Sequence, residues 1–247
     1  MKKLFAALCA LLMVLSLTAC GKKEEEPVVD NSENQTEVEN QTEESPAMSY
    51  EEYAAAELDS EVVLDLYAQD SQSWWDGKIT VYATDDKGNG VFVYELACDE
   101  ADAEWFKGGN GFRVTGYKSE WSGEVEVVDG TFTKLSQTYT AAAVNADDKF
   151  GDNDALLPMQ NQLVAFTGLT VDSISYKNDE PGDDIYLTFS KDGKTMDFCV
   201  EVYLTGTDSD VYTTVGELSA GDVVDVEGFL YWYNGANPHI TLSLIHI

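Results

Sequence analysis

The sequence predicts an all-β protein of two tandem five-stranded barrels, each with a short helix between its third and fourth strands. Apolar and polar residues alternate through most of the chain from residue 62 onward, which is the period of a half-buried strand. Runs rich in Gly, Asp and Asn separate the alternating segments and indicate tight turns. The order of these segments in the first half recurs in the second.

The first half contains five strand-like segments, with a short helix between the third and the fourth. Ser49 followed by Glu52 forms a capping box, which predicts a helix from residue 50 to about 58. The run 85–90 has the composition of a hairpin turn. The predicted strands cover residues 62–68, 79–83, 91–97, 112–117 and 125–133, and the predicted internal helix covers 99–107.

The second half repeats this order with a longer first strand. The run Lys191-Asp192-Gly193-Lys194 predicts a two-residue hairpin. The predicted strands cover residues 163–176, 185–190, 195–203, 223–231 and 239–242, and a helix is predicted over 209–218.

Glycines align the two halves at a constant spacing. The run that starts at Gly109 can be laid over the run that starts at Gly221, and apolar positions then coincide as well. Glycine inside a strand is typical of a bend or of close backbone approach, which a small barrel requires. This pattern predicts a tandem duplication, in which Gly109, Gly116 and Gly123 correspond to Gly221, Gly228 and Gly235.

The element order resembles the OB-fold, a small Greek-key barrel, over residues 49–135 and 161–242. The resemblance implies that ligands cross strands two and three, beside the loop between strands one and two and the loop between strands four and five. A pair of β-sandwich domains is the alternative, but it would leave both helices unexplained.

The first twenty residues carry a targeting signal. Lys2 and Lys3 precede an apolar run, 4–17, as in a secretory signal. The run Leu17-Thr18-Ala19-Cys20 resembles the lipobox of bacterial lipoproteins. The resemblance implies that the signal peptide 1–19 is removed and that lipid on Cys20 anchors the chain to the extracytoplasmic face of the cell membrane. The alternative is an ordinary signal peptide with an incidental cysteine.

The composition of the remaining residues predicts a tether, two domains and a linker. Residues 20–48 are acidic and polar, which predicts a disordered tether. We expect a first domain over 49–140, a linker over 141–160 and a second domain over 161–247. Residues 242–247 (LSLIHI) match the in-frame translation of a transposon sequencing adapter, so we expect the natural sequence to differ there.

The charge balance is strongly acidic. The chain has 14 Lys and Arg against 46 Asp and Glu, a formal net charge of −32. Binding to DNA or RNA normally requires a basic surface, so nucleic acid is expected to be an unlikely partner. Cationic partners and neutral sugars remain open. Cys98 and Cys199 are expected to be buried free thiols, and a disulfide between the two domains is the alternative.

Aromatic residues cluster in the loops where the fold resemblance places a ligand. Such rings stack on sugar rings and on bases alike. Asp76 and Glu120 are candidate acceptors for sugar hydroxyls. The alternative is core packing, and one of the two adjacent tryptophans is expected to point inward. The candidate ligand-binding residues are Trp74, Trp75, Trp121, Tyr231, Trp232 and Tyr233.

Neither catalysis nor metal binding is predicted. His239 follows Pro238 at the start of a predicted strand, and no nucleophile motif accompanies it. The acidic runs in 147–154 and 179–184 do not have the spacing of a calcium loop and are interpreted as solvated loops. We therefore expect no catalytic residue, no metal site and no cofactor.

The leading hypothesis is a cell-surface lipoprotein that acts as a non-catalytic binding module for extracellular oligosaccharide. This hypothesis depends on two features: aromatic residues in the predicted ligand loops, and acidic side chains that can accept hydrogen bonds from sugar hydroxyls. One alternative is a structural or protein-interaction subunit of an envelope complex. A second alternative is a protein that binds single-stranded nucleic acid, the best-known use of the fold.

Overall fold

Two β-sheets account for most of the residues that this computed structural model describes, which are 46–246. The predicted signal peptide, Cys20 and most of the predicted tether lie outside that range. The strands are β1 (Glu61–Ser71), β2 (Lys78–Thr84), β3 (Gly90–Ala97), β4 (Asn110–Trp121), β5 (Glu124–Thr138), β6 (Val144–Asn145), β7 (Leu163–Tyr176), β8 (Ile185–Lys191), β9 (Lys194–Val200), β10 (Val223–Phe229) and β11 (His239–His246).

The helices are short and lie between strands. The α-helices are α1 (Tyr50–Ala55), α2 (Asn153–Leu156), α3 (Val202–Thr205) and α4 (Asp210–Gly216). The 3-10 helices are Glu100–Phe106, Asp147–Lys149, Leu157–Met159 and Lys177–Asp179.

The first sheet is a closed barrel with the strand order β1-β2-β3-β5-β4. All neighbours in it are antiparallel except β3 and β5, whose parallel pairing closes the barrel. The all-β class and an OB-like barrel in the first half are therefore confirmed. The internal helix predicted over 99–107 forms as the 3-10 helix Glu100–Phe106.

Glycine allows the barrel to close where β4 bends. Gly116 pairs with Val62 of β1, and a Cβ atom at Gly116 would lie 2.7 Å from the carbonyl oxygen of Val128. Only a residue without a side chain permits this approach, as the spacing of the glycines predicts.

The second sheet has six strands in the order β10-β11-β9-β8-β7-β6, and β10 also pairs with β7. β11 pairs with β9 in parallel at His239 and Cys199. The backbone of β11 pairs with β10 as far as His246.

The capping box is confirmed, and several predicted boundaries are wrong, among them the ends of one helix and one strand. The Ser49 hydroxyl accepts a hydrogen bond from the Glu52 N–H, and the Glu52 carboxylate accepts one from the Ser49 N–H at 2.8 Å. Helix α1 ends at Ala55, before residue 58. The strand predicted over 195–203 ends at Val200, because the chain turns there into α3.

Each sheet encloses its own apolar core. In the barrel, Phe106 packs edge-on against Phe112 at 5.2 Å between ring centroids. In the second sheet, Phe189 packs edge-on against Phe198 at 4.9 Å. Burial of each such side chain stabilises the fold by about 1.5–3 kcal/mol.

A third apolar cluster joins the two sheets. Tyr82 of β2 and Phe92 of β3 point out of the barrel and pack against Leu204 and Phe229. The rings of Tyr82 and Phe229 stack at 4.5 Å with an interplanar angle of 13°. Residues 46–246 therefore belong to one compact unit.

Two further observations concern the described residues. Cys98 and Cys199 are buried free thiols, as predicted. None of the helices in this range is long and apolar enough to cross a membrane.

Candidate functional site

Two adjoining depressions lie along β2 and β3 of the barrel, where the second sheet partly covers these strands. The first, called the outer groove, has a volume of about 270 Å³. It begins in the loop between β1 and β2 and follows the outward residues of both strands. Its lining residues are Gln72, Ser73, Trp75, Lys78, Ile79, Thr80, Tyr94, Glu95 and Tyr203.

The second depression, called the inner cavity, has a volume of about 350 Å³ and shares Gln72 and Tyr94 with the outer groove. It lies further along the same two strands, against the start of β11. Aromatic and acidic side chains make up most of its wall. Its lining residues are Gln72, Tyr82, Phe92, Tyr94, Trp121, Glu126, Glu201, Tyr231 and His239.

The outer groove is bordered by exposed aromatic rings. Trp75 is 79% exposed and Tyr203 is 62% exposed. The backbone of Trp75 is held by reciprocal hydrogen bonds with Lys78 at 2.9 and 3.0 Å. The Ser73 N–H donates to the Tyr203 carbonyl at 2.7 Å, and this bond attaches Tyr203 to the rim. The rings therefore stand on fixed backbone and are free to stack on a ligand.

One charged pair crosses the groove. The Lys78 ammonium contacts the Glu95 carboxylate at 2.5 Å, and both groups are about half exposed. The hydrogen bond from Lys78 lowers the pKa of Glu95, against a smaller opposing effect of burial. Thr80 and Gln72 add neutral polar groups to the lining.

The two adjacent tryptophans have different roles. Trp74 packs against the barrel core, and its indole N–H donates to the Cys98 carbonyl at 2.8 Å. Trp75 points to solvent. The expectation that one of the pair points inward is therefore confirmed.

A buried polar group in the inner cavity connects the barrel to the second sheet. His239 Nδ1 lies 2.7 Å from the Tyr82 hydroxyl and 3.2 Å from Glu201 Oε2. The Gln72 amide donates to Glu201 Oε1 at 2.7 Å. Burial acts to raise the pKa of Glu201, but His239 and the other hydrogen-bond donors outweigh it, and the pKa is lowered.

Glu126 differs from Glu201 because it has no partner. Only 7% of Glu126 is exposed, and no side chain or backbone group in the described part of the chain forms a hydrogen bond or ion pair with its carboxylate. Burial raises the pKa of Glu126 to about 7, and the charge of Glu95 adds to the effect. The cavity therefore contains a carboxyl group that has no hydrogen-bond or ion-pair partner among the described residues.

Glu124 lies two residues earlier on β5 and is fully buried. Its Oε2 accepts a hydrogen bond from the Trp232 N–H at 2.8 Å, while Oε1 has no partner. Burial raises the pKa of Glu124 to about 8, so the group is mostly protonated at neutral pH.

The structure brings the two predicted aromatic loops together. Trp121 and Tyr233, each about half exposed, lie 5.4 Å apart between ring centroids. Trp232 is only 8% exposed and packs over Gly123. Tyr231 packs on His239 at 4.4 Å. In this conformation the Trp232 ring is packed between the sheets and does not face solvent, unlike Trp121 and Tyr233.

Several site residues were missed by the sequence prediction. Tyr94 could have been found, because it shares the outward face of its strand with Phe92. Tyr203, Glu201 and His239 belong to the other half of the chain and reach the site only through packing. His239 was interpreted as an ordinary structural residue.

The predicted acidic loops are hydrogen-bonded within the protein. Asp147 accepts hydrogen bonds from the Lys191 ammonium at 2.6 Å and the Thr167 N–H at 2.8 Å. Asp184 binds Lys177 at 2.9 Å. Within residues 46–241, no group of three or more His, Cys, Asp or Glu is arranged to hold a metal ion.

No protein-family model matches the chain, and no curated protein matches it. Solved structures do match. The p204 HINb domain is 11% identical, with 77% of this chain and all of that chain covered and a TM-score of 0.35. The Ifi202 HINa domain in complex with 20-bp dsDNA is 10% identical, with 76% and 98% covered and a TM-score of 0.35.

A third match is asparaginyl-tRNA synthetase from Pyrococcus horikoshii, 18% identical over 34% of this chain, with a TM-score of 0.29. The match spans only 19% of the synthetase. At these identities and scores the likeness concerns the fold alone, so the ligand is argued below from the site itself.

Two predictions are corrected. Nucleic acid was expected to be an unlikely partner, and this is corrected, because the matching structures include complexes with double-stranded DNA. Extracellular oligosaccharide was expected as the leading ligand, and this is corrected, because the solved structures that match include DNA complexes.

Proposed function

We propose that the outer groove binds single-stranded nucleic acid by stacking unpaired bases on Trp75, Tyr94 and Tyr203. The observation that carries the proposal is the exposure of these rings around one groove of the barrel. Every base has a flat face, so a row of fixed rings accepts a strand with little regard to its sequence.

The position of the groove supports the proposal. It lies across β2 and β3 and includes Trp75 of the β1–β2 loop. In an OB-type barrel these are the surfaces that receive oligonucleotides. Gln72, Ser73 and Thr80 line the groove with neutral polar side chains, each of which also forms a hydrogen bond within the protein.

The net charge of the protein determines how the affinity for nucleic acid is expected to depend on salt. A basic protein gains affinity by releasing counterions from phosphates, and its affinity falls as salt is added. Lys78 is paired with Glu95, and the chain carries a formal net charge of −32. Stacking must therefore supply the affinity, while salt screens the repulsion between the acidic surface and the phosphates.

The test is titration of the full-length protein in detergent with a fluorescent oligo-dT, followed by anisotropy. Base stacking contributes about 1–3 kcal/mol per base, so Trp75→Ala should weaken binding roughly tenfold. Tyr117→Ala, which removes an exposed ring outside the groove, is the matched control. Equal affinities of wild type and Trp75→Ala would contradict the proposal.

We also propose that lipid on Cys20 anchors the chain at the extracytoplasmic face of the cell membrane. The lipobox residues support this placement. Radiolabelled palmitate should be incorporated into wild type and Cys98→Ala during bacterial expression and not into Cys20→Ala. An unlabelled wild type, or a labelled Cys20→Ala, would count against the anchor.

A second barrel is proposed for the second half. The additional β10–β7 pairing and the parallel β11–β9 contact correspond to the β4–β1 and β5–β3 pairings of the first barrel. A Cβ atom at Gly228 would collide with the His239 carbonyl, as one at Gly116 would with Val128. These equivalences support a duplicated unit.

The proposal includes no catalytic step. Burial raises the pKa of the Cys98 thiol to about 11 and raises that of Cys199 as well. Neither cysteine therefore supplies a thiolate near neutral pH. The groove is proposed to bind its ligand and leave it unchanged.

A further inference from the structure

We propose that the inner cavity is a second binding site, which takes a small organic cation between the Glu126 carboxylate and the rings of Tyr94, Trp121 and Tyr231. This site does not rest on nucleic-acid binding by the outer groove. The two depressions share only Gln72 and Tyr94.

The first argument is the uncompensated carboxylate. Glu126 is more than nine-tenths buried and lines the cavity, yet it has no hydrogen bond or ion pair with any described group. A buried charge without a partner is costly, and buried carboxylates are almost always paired. A cation that enters the cavity supplies the missing partner.

The second argument is the nature of the walls. Aromatic rings attract cations through their negative faces, and this attraction strengthens when water is excluded. Tyr231 lines the cavity from the second half of the chain, while Tyr94 and Trp121 line it from the barrel. Carboxylate and aromatic rings around one space form a receptor for an ammonium or guanidinium group.

The third argument concerns the other acid of the cavity. Glu201 is already hydrogen-bonded to Gln72 and His239. It adds negative potential without needing a further partner. The cavity therefore has two carboxylates and, within the described residues, a single basic side chain in its lining, His239.

Size also fits a small ligand. The volume of about 350 Å³ lies at the low end of the range for small-molecule pockets, which is about 300–1,000 Å³. Trp121 is half exposed and forms part of the wall, so the cavity is bordered by solvent on that side. We expect a small cation to enter on that side.

The experiment is isothermal titration of the full-length protein at pH 8 with choline, arginine and 3,3-dimethyl-1-butanol. The last compound is the uncharged counterpart of choline and has nearly the same shape. Choline or arginine should bind, and for choline the uncharged counterpart should bind at least tenfold more weakly. Equal binding of choline and its counterpart, or no binding of either cation, would overturn the proposal.

Matched variants locate the site. Glu126→Gln should weaken cation binding at least tenfold, whereas Glu120→Gln, which removes the same charge from an exposed position on β4, should not. Trp121→Ala provides a second variant if Glu126→Gln fails to fold, as checked by circular dichroism. Unchanged affinity in a folded Glu126→Gln or Trp121→Ala protein would refute the site. Trp75→Ala should retain cation binding, which separates this result from that of the outer groove.

Discussion

The Tyr82 hydroxyl lies 2.7 Å from Nδ1 of His239, and this contact joins β2 of the barrel to the first residue of β11. Both side chains are buried. The two halves of the chain are therefore connected by a specific polar contact inside an apolar cluster, and not by apolar packing alone. Such contacts favour one relative placement of two surfaces, because a shifted arrangement would leave buried polar atoms unpaired.

We expect Tyr82→Phe to destabilise the protein by about 1–3 kcal/mol. The substitution keeps the ring that stacks on Phe229 but removes a hydrogen bond to a buried imidazole nitrogen. Urea unfolding followed by intrinsic fluorescence measures the change. Tyr117→Phe, at an exposed ring, should alter stability by less than about 0.5 kcal/mol. Equal stabilities of the two variants would show that the contact contributes nothing.

We expect Gly123→Ala to be more destabilising than Gly77→Ala. Both glycines have positive φ angles, +91° and +81°, so both variants carry the backbone strain of about 1–2 kcal/mol. A Cβ atom at Gly123 would also lie 2.7 Å from the Trp232 ring, while one at Gly77 would meet nothing within 4 Å.

The two variants share the backbone strain, so the difference between their free energies of unfolding in urea measures the contact between residue 123 and the Trp232 ring. Overpacking of this kind costs typically about 1–3 kcal/mol. The combined emission maximum of the five tryptophans should shift to longer wavelength in Gly123→Ala if the Trp232 ring is displaced into solvent. Identical losses in both variants would mean that the ring moves aside without cost.

We expect Glu124→Gln to change how stability depends on pH. Burial raises the folded-state pKa of Glu124 to about 8, so between pH 4.5 and 8 the folded chain keeps a proton that the unfolded chain has lost. The contribution of Glu124 is therefore full at low pH and falls by up to about 1.4 kcal/mol per pH unit across this window. Glutamine, which does not titrate, should remove this slope.

The measurement is the free energy of unfolding from pH 5 to 9 in wild type, Glu124→Gln and Glu120→Gln. The last variant changes an exposed carboxyl and should keep the wild-type slope. A contribution of the same sign from Glu126, which ends at about pH 7 because the pKa of Glu126 is lower, should persist in all three proteins. If the free energy of unfolding had the same slope against pH in all three proteins, Glu124 would not be protonated in the folded state.

We expect choline affinity at the inner cavity to rise about tenfold between pH 6 and pH 8 and then to level off. The Glu126 carboxyl, with a pKa of about 7, is about one-tenth ionised at pH 6 and about nine-tenths ionised at pH 8, and only the ionised form attracts the cation. The other titratable groups that face Glu126 or the same cavity are Glu95, Tyr53, Tyr82, Tyr94, Tyr231, Glu124, Glu201 and His239.

The variant Glu126→Gln provides the control for this profile. Any pH dependence that remains in its residual choline binding belongs to the other groups. Titration calorimetry in two buffers of different ionisation enthalpy also measures the proton released on binding below pH 7. A wild-type profile that is flat from pH 6 to 8 would argue against Glu126 as the receptor of the charge.

Local sequence patterns predicted the strands of the barrel well. The alternation from Val62 to Ala68 identified β1, and the turn at 85–90 identified the β2–β3 hairpin. Ser49 and Glu52 identified the start of α1. Each of these features depends on residues close in sequence, so the physical cause lies within the segment itself. The glycines of the first half, Gly109, Gly116 and Gly123, have the same spacing as glycines of the second half. This shared spacing predicted the close backbone approach that a barrel requires.

The position of the site followed from packing between distant segments. Period-two alternation marks Tyr82 and Phe92 as outward, but it does not say that Phe229 and Leu204 cover them. The same covering buries Trp232, leaves Glu126 without a partner and sets His239 against Tyr82. Shape complementarity between two surfaces depends on all their side chains at once, and no local pattern in either half encodes it. The local sequence therefore determines the strands of this protein. The proposed inner cavity forms only where the two halves of the chain pack against each other.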